Sequence, residues 1–502
     1  MAFQSLKPNS PLFMLTNFDK NKHLMWRAGF GPAASQLEQL ATLTPAEIFK
    51  ALQKASAKRP PYIDVADNYL KGLYMGAEEI GRQGKKKELD TDERKKLRNK
   101  NRDSIKSLNL TWLYQMIESE QQLREKMAFF WHGHFASRNV NIFFQQQLLD
   151  VIRENALGSF RDLLHGVSKS AAMLNFLNAQ QNKKDHPNEN FAREVMELFT
   201  LGRGNYTEND IKEAARAFTG WSATPRGDFA FRRFQHDTGS KTVLGKSGAF
   251  EGADVLDILL EQKATARFIT QKIYRAFVNE VVDKSKVDWL AERFYKNDYS
   301  IGKLMEDIFT SNWFYDPKNI GAKIKSPVEL IAGMQRTLPM QLENEEALLL
   351  VQRLLGQLLF YPPNVAGWPG GKSWIDSSTL MVRMRLSKMI NDQDDFNIRP
   401  KTDDDMIGGL SEGGEPNVDK PKGGYGKAAR PINAKIEWTP LVKSFESTPR
   451  ESLLPGLAGT LLQVPLKVPM TVIKGTADST SRESFIRSAT LQLMSVPEYQ
   501  LC

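Results

Sequence analysis

A chain of 502 residues has room for two or three compact units at ~150 residues each, or for one extended helical body, and buries a large core without staples. Its single cysteine, Cys502, has no intrachain partner, which excludes a disulfide scaffold, a cysteine-ligated zinc and a buried cysteine nucleophile and leaves the redox compartment open. With 68 Lys and Arg against 59 Asp and Glu, the formal charge of +9 permits an anionic partner but is modest for the length, and no run approaches the ~18 uninterrupted apolar residues of a membrane span.

Residues up to Phe18 contain Pro8, Pro11 and polar side chains where a secretory signal would have a basic start and a long apolar run, so no such signal is expected in the sequence as given. His23 to Pro32 reads as a short helix closed by glycine and proline. Thr44-Pro45-Ala46-Glu47 supplies an N-cap, a proline at the first helical position and a capping-box glutamate for the next. Residues 82–106 form a charged insertion in which Arg82, Lys85, Lys86, Lys87, Arg94, Lys95, Lys96, Arg98, Lys100 and Arg102 are diluted by Glu88, Asp90, Asp92, Glu93 and Asp103. No aromatic residue interleaves them to stack bases, so a solvated helical insertion is expected and nucleic-acid binding is the lesser alternative.

Helical spacing resumes from Leu108 to Trp131, with Trp112, Met116, Leu123, Met127, Phe130 and Trp131 on the inward face and His134 continuing it if the helix persists. Phe143 to Leu164 reads as a helix pair punctuated by Gly158, and Leu174 to Gln181 as one more. Thr207 with Asp210 caps a helix whose buried stripe is Ile211, Ala214, Ala215 and Phe218, while Ala230 to Gly248 hints at short strands or an irregular loop. Helices follow at Ala264 to Val278, Val287 to Tyr295, Ile301 to Phe309, after the Ser326-Pro327-Val328-Glu329 capping box, and at Leu348 to Leu359. The expected fold is mainly α: a multi-helix globular body with short irregular or β segments and two flexible insertions. Its expected parts are an N-terminal helical region at 1–81, the charged insertion, a central body at 107–390 carrying the candidate site, a Gly/Asp/Lys-rich insertion at 391–435, and C-terminal helices at 436–502 packing back on the body.

The stretch His186 to Gly202 organises the functional reading. At about 100° per residue, Phe191, Ala192, Val195, Met196, Leu198, Phe199 and Leu201 fill one apolar arc, and Glu194 falls inside it. A buried carboxylate costs several kcal/mol unless a cation, a metal or a hydrogen-bond network meets it, so polar groups are expected to converge there. Glu197, one turn on, is placed to share an ion or a proton relay with Glu194; pairing of Glu194 with a buried arginine such as Arg216 is the structural alternative. Glu189, Arg193 and Glu197, four apart, also suit a surface ion-pair ladder.

His132-Gly133-His134 is the sharpest local signal. Residues two apart on a continuous helix diverge by roughly 200°, whereas in extended chain they project to one side, so a break at Gly133 would let both histidines bind zinc, iron or manganese with a carboxylate. The alternative is that His134 packs in the core and His132 caps its helix. His236-Asp237, with Lys241 beyond, sits in a glycine-rich segment of the kind that supplies site residues. Trp368 and Trp374, beside glycines, Asn364, Lys372 and Asp376, suit either a substrate groove or a rigid packed turn. Neither a His-Glu-x-x-His pair nor a Walker loop is present.

Taken together, Leu24 to Pro32, Phe130 to Phe135, Pro187 to Gly202, Tyr206 to Trp221, His236 to Lys241, Lys325 to Glu329, Pro362 to Arg383 and the closing Ser495 to Tyr499 resemble a bacterial family known as domain of unknown function 1800. The resemblance implies a largely helical fold, frequent export among relatives, and an alkaline-phosphatase-like protein encoded nearby as a partner; it implies no established activity. Phe199 stands where relatives often carry histidine.

The leading expectation is a metal-dependent enzyme, hydrolytic or oxidative. One divalent metal would be held by His132, His134, His236 and Glu194, catalysis would involve Glu194, Glu197 or Asp237, and substrate would meet Arg193, Lys241, Trp368 and Trp374. The alternative is a non-catalytic binding or assembly module for an envelope polymer or partner protein.

Overall fold

The computed structural model describes residues 15–73, 90–392 and 434–502. The opening residues 1–14, the basic residues Arg82 to Lys87 and nearly all of the 391–435 insertion lie outside the described residues. Of the charged run, residues 90–102 open the helix Thr91–Glu118, which Asp90 and Glu93 start with a reciprocal capping box.

The chain divides into two compact units. One comprises Met1–Ile48, Tyr315–Pro363 and Pro369–Cys502, the other Phe49–Phe314 and Asn364–Trp368. The division falls inside the 107–390 span.

The fold is mainly α, as the spacing predicts. Helices begin where Thr207 with Asp210 and Ser326 with Glu329 form capping boxes, Pro327 occupying the first turn of the second. Strands are three-residue pairs: Trp221–Ala223 with Phe229–Phe231, Lys241–Val243 with Lys246–Gly248, and Met340–Leu342 with Ala434–Ile436, all antiparallel. Among the described residues no helix is long and apolar enough to cross a membrane.

In the unit built on Phe49–Phe314, the stretch from Leu108 to Trp131 is two helices, Thr91–Glu118 and Gln122–His134. At their junction Gln122 turns back to donate to the Met116 carbonyl at 2.9 Å and the Ser119 carbonyl at 2.8 Å, satisfying the end of the first helix. Aromatic rings fill the core: Trp131 lies 5.5 Å from Phe160, and Phe135 5.2 Å from Phe199. Within it the Glu125 carboxylate pairs with Arg153 at 2.6 Å, both side chains 1% exposed. Trp112 Nε1 donates to the same carboxylate at 2.9 Å, and Arg153 also donates to the Pro61 carbonyl.

The other unit packs Asn17–Arg27, Pro327–Thr337, Ser377–Asp392, Leu453–Leu461 and Arg482–Met494. The Trp26 indole lies so close to Gly333 that a Cβ there would be 2.1 Å from it. Fully buried Lys325 places its ammonium 3.9 Å from the Trp26 ring centre and 3.8 Å from that of Tyr499. Burial draws its pKa down to about 7.

Candidate functional site

The helix Asn190–Glu194 continues directly into a π-turn, Val195–Thr200. The wider turn is closed by the Leu201 amide donating to the Met196 carbonyl at 2.9 Å, five residues back. Thr200 Oγ1 occupies the widened space, donating to the Val195 carbonyl at 2.7 Å.

Two side chains from distant helices hold the far end of this turn. His134 Nε2 lies 3.2 Å from the Phe199 carbonyl, and Lys272 Nζ donates to the Leu198 carbonyl at 3.1 Å and to His134 Nδ1 at 3.1 Å. Since Nδ1 accepts from an ammonium, the ring is neutral with its proton on Nε2, aimed at the carbonyl. Burial and the Lys272 charge keep the His134 pKa well below its usual value, and burial brings Lys272 down to about 8. His134 is thus a buried clamp on the backbone beneath the carboxylates.

The extended His-x-His arrangement does not form. Gln122–His134 is continuous helix through both histidines, and a Cβ at Gly133 would meet nothing within 4 Å, so the glycine forces no break. His132 points elsewhere, its ring 5.0 Å from Trp112 edge-on and 5.6 Å from Trp368; burial lowers its pKa to about 3. The glycine that matters is Gly367, at φ +82°, where a Cβ would sit 2.3 Å from the Gly133 carbonyl oxygen. It lets the loop carrying Trp368 close over this helix.

Glu194 is half-buried at the rim rather than sunk in the apolar arc. The π-turn explains the difference: a wider turn advances fewer degrees per residue, so the wheel at 100° misplaces the residues on either side of it. Among the described residues nothing donates a hydrogen bond to the Glu194 carboxylate. Partial burial, then the charge of Glu197, raise its pKa. Glu197 is the opposite case: Arg203 and the Tyr206 hydroxyl, the latter at 2.8 Å, donate to it, and Arg203 foremost pulls its pKa down. Burial, and after it the bond to Glu197, push Tyr206 up to about 12.

Arg193 faces Glu208 at 2.8 Å and Glu189 at 3.0 Å, so the expected ladder forms through Glu189 and adds Glu208. Arg216 answers Asp237 at 2.7 Å and Glu213 at 3.0 Å, and not Glu194. Asp237 is held below the usual carboxylate range chiefly by that arginine. His236 Nδ1 lies 3.0 Å from the Thr219 carbonyl, and Lys241, 1% exposed, donates to the carbonyls of Asp237 and Gly239. His236, Asp237 and Lys241 therefore knit one loop, with the lysine ammonium turned to backbone. Trp368 and Trp374 belong to different units, and Trp374 is buried in the turn Gly371–Trp374.

The structure thus joins Glu194 to Glu197, His134 to the turn beneath them, and His236 to Asp237 and Lys241. It does not bring the three imidazoles to Glu194: among the described residues, no three His, Cys, Asp or Glu side chains are grouped so as to hold a metal ion. Sequence reasoning missed Lys272, Arg203 and Tyr206. A lysine beside Thr270 and Ile273 on the buried stripe of Lys263–Phe277 was the available signal for the first; the other two had none.

Among curated proteins and among solved structures, nothing matches the chain. A family model does, over residues 23–501. The motifs from His132 to the closing Tyr499 lie inside that match, and the chain belongs to the family described as Protein of unknown function (DUF1800).

Proposed function

We propose that the chain is a hydrolytic enzyme whose proton transfers run through Glu194, with Glu197 as the fixed charge beside it. The observation that supports this reading is the unequal pair: two carboxylates on one turn, one fixed in its charged form by Arg203 and Tyr206, the other free of donors and drawn toward its protonated form. Environments that push two neighbouring carboxyls apart mark an acid and a base. In this reading Glu194 gives its proton to a leaving group and recovers one from water, while the fixed charge of Glu197 sets its proton affinity. The metal-assisted expectation keeps its carboxylates here and loses its imidazoles, each of which is engaged elsewhere. An alkaline-phosphatase-like partner, implied by the resemblance, belongs to the same proposal.

The test is turnover of a panel of ester, phosphoester, amide and glycoside substrates by the full chain and its Glu194→Gln and Glu197→Gln variants. Glu194→Gln is expected to lower kcat/KM by about 10²–10⁴-fold. The folded-state pKa of Glu194 is raised, so its contribution to stability is full below the usual carboxylate pKa and fades as pH rises through the raised value. Glu194→Gln should flatten that slope in urea midpoints taken from pH 4 to pH 7. No turnover, with an unchanged slope in the variant, supports the non-catalytic module instead. Stoichiometric metal in the purified protein that disappears in a His132→Ala, His134→Ala variant supports the metal-assisted reading.

A further inference from the structure

The hairpin Trp221–Ala223 with Phe229–Phe231 runs into a 3₁₀ turn, Arg233–Gln235, whose central residue Phe234 is 94% exposed. An aromatic ring held almost wholly in water contributes nothing to the core, and among the described residues no other ring lies against it. Arg232 and Arg233 immediately precede it in sequence, both exposed. The loop that carries exposed Lys183 and Lys184 is tied to the same turn by the Lys184 amide donating to the Gln235 carbonyl at 2.8 Å. None of these four cations has an ion-pair partner among the described residues; exposed Asp185 is the acid in that loop. On the neighbouring strand, Phe229 is 37% exposed, with the Lys169 ammonium 5.6 Å from its ring centre.

We infer that this tip docks the protein on an anionic lipid surface, with Phe234 entering the boundary between headgroups and acyl chains and Arg232, Arg233, Lys183 and Lys184 meeting the lipid phosphates. Charge complementarity selects an anionic partner, since a cluster of unpaired cations raises the local potential that draws one in. The almost wholly exposed Phe234 ring selects a bilayer. Single-stranded nucleic acid is bound by successive aromatic faces along a basic groove, whereas a ring as exposed as Phe234 at the end of a short turn has a place to go in a medium that admits it. The attachment is peripheral and independent of the carboxylate pair.

The test is co-sedimentation of the full chain with vesicles of phosphatidylglycerol mixed with phosphatidylcholine, and with phosphatidylcholine alone. Binding is expected on the anionic vesicles only, falling as salt is raised. Phe234→Ala should weaken it about tenfold or more, and Arg232→Ser with Arg233→Ser by roughly fivefold per charge. Because these side chains are exposed, the thermal midpoint should not move. Absence of binding to either vesicle, or variants that bind like the parent, overturns the proposal. So does tight binding of a single-stranded oligonucleotide lost on the same substitutions, which would assign the tip to nucleic acid.

Discussion

Two glutamates in the same unit show how differently an acid can be treated by its surroundings. Glu125 is fully buried, and Arg153 and Trp112 surround its carboxylate with donors. Glu194, at the rim, has none among the described residues. Depth alone therefore does not mark a reactive acid: the deeper of these two carboxylates is answered by a guanidinium and serves the fold, while the shallower one is left with a raised pKa and an open face.

The comparison breaks most visibly at its buried end. Glu125→Gln leaves Arg153 charged and without its counterion, and is expected to cost about 3–5 kcal/mol in chemical unfolding; a loss below 1 kcal/mol would mean the pair is not structural. His132, close by against Trp112, sharpens the point through pH. Its folded pKa of about 3 lies below the unfolded value, so the stability it contributes is present above the usual histidine pKa and is lost as pH falls toward 3. Between pH 6.5 and pH 4 this amounts to roughly 3 kcal/mol, and His132→Phe should make the acid limb of urea midpoints shallower. At the rim, Lys272→Met removes a donor from the Leu198 carbonyl and from His134. A loss of about 1–3 kcal/mol, with faster hydrogen exchange at the amides of residues 195–201, is expected; unchanged exchange would show that the π-turn stands without its clamp.

What was legible in the sequence follows the range of the interaction that encodes it. The capping boxes at Thr44, Thr207 and Ser326 rest on residues three apart, and all three form. The family motifs are likewise contiguous, and the match over residues 23–501 contains them. Pairings across long stretches of chain were not legible. Arg153 reaches Glu125 over 28 positions and Lys272 reaches His134 over 138, and no periodicity records either. Glu194 failed for a local reason: a wheel drawn with α-helical spacing cannot register a π-turn at Val195–Thr200, which rotates the acid out to the rim. The His-x-His signal failed because a single glycine, though about 0.5–1 kcal/mol unfavourable in a helix, does not break one that packing holds, and Gln122–His134 runs through it.

Lys325, held between the rings of Trp26 and Tyr499, has a further consequence. Burial disfavours its protonated form, although the Tyr499 carbonyl accepts a hydrogen bond from the ammonium at 2.6 Å. The unfolded chain would hold that proton up to far more basic conditions, so alkali favours the native form over the interval from about 7 to 10.5. Two hidden bases, an imidazole in one unit and an amine in the other, thus each favour the native form over the unfolded one as protons become scarcer.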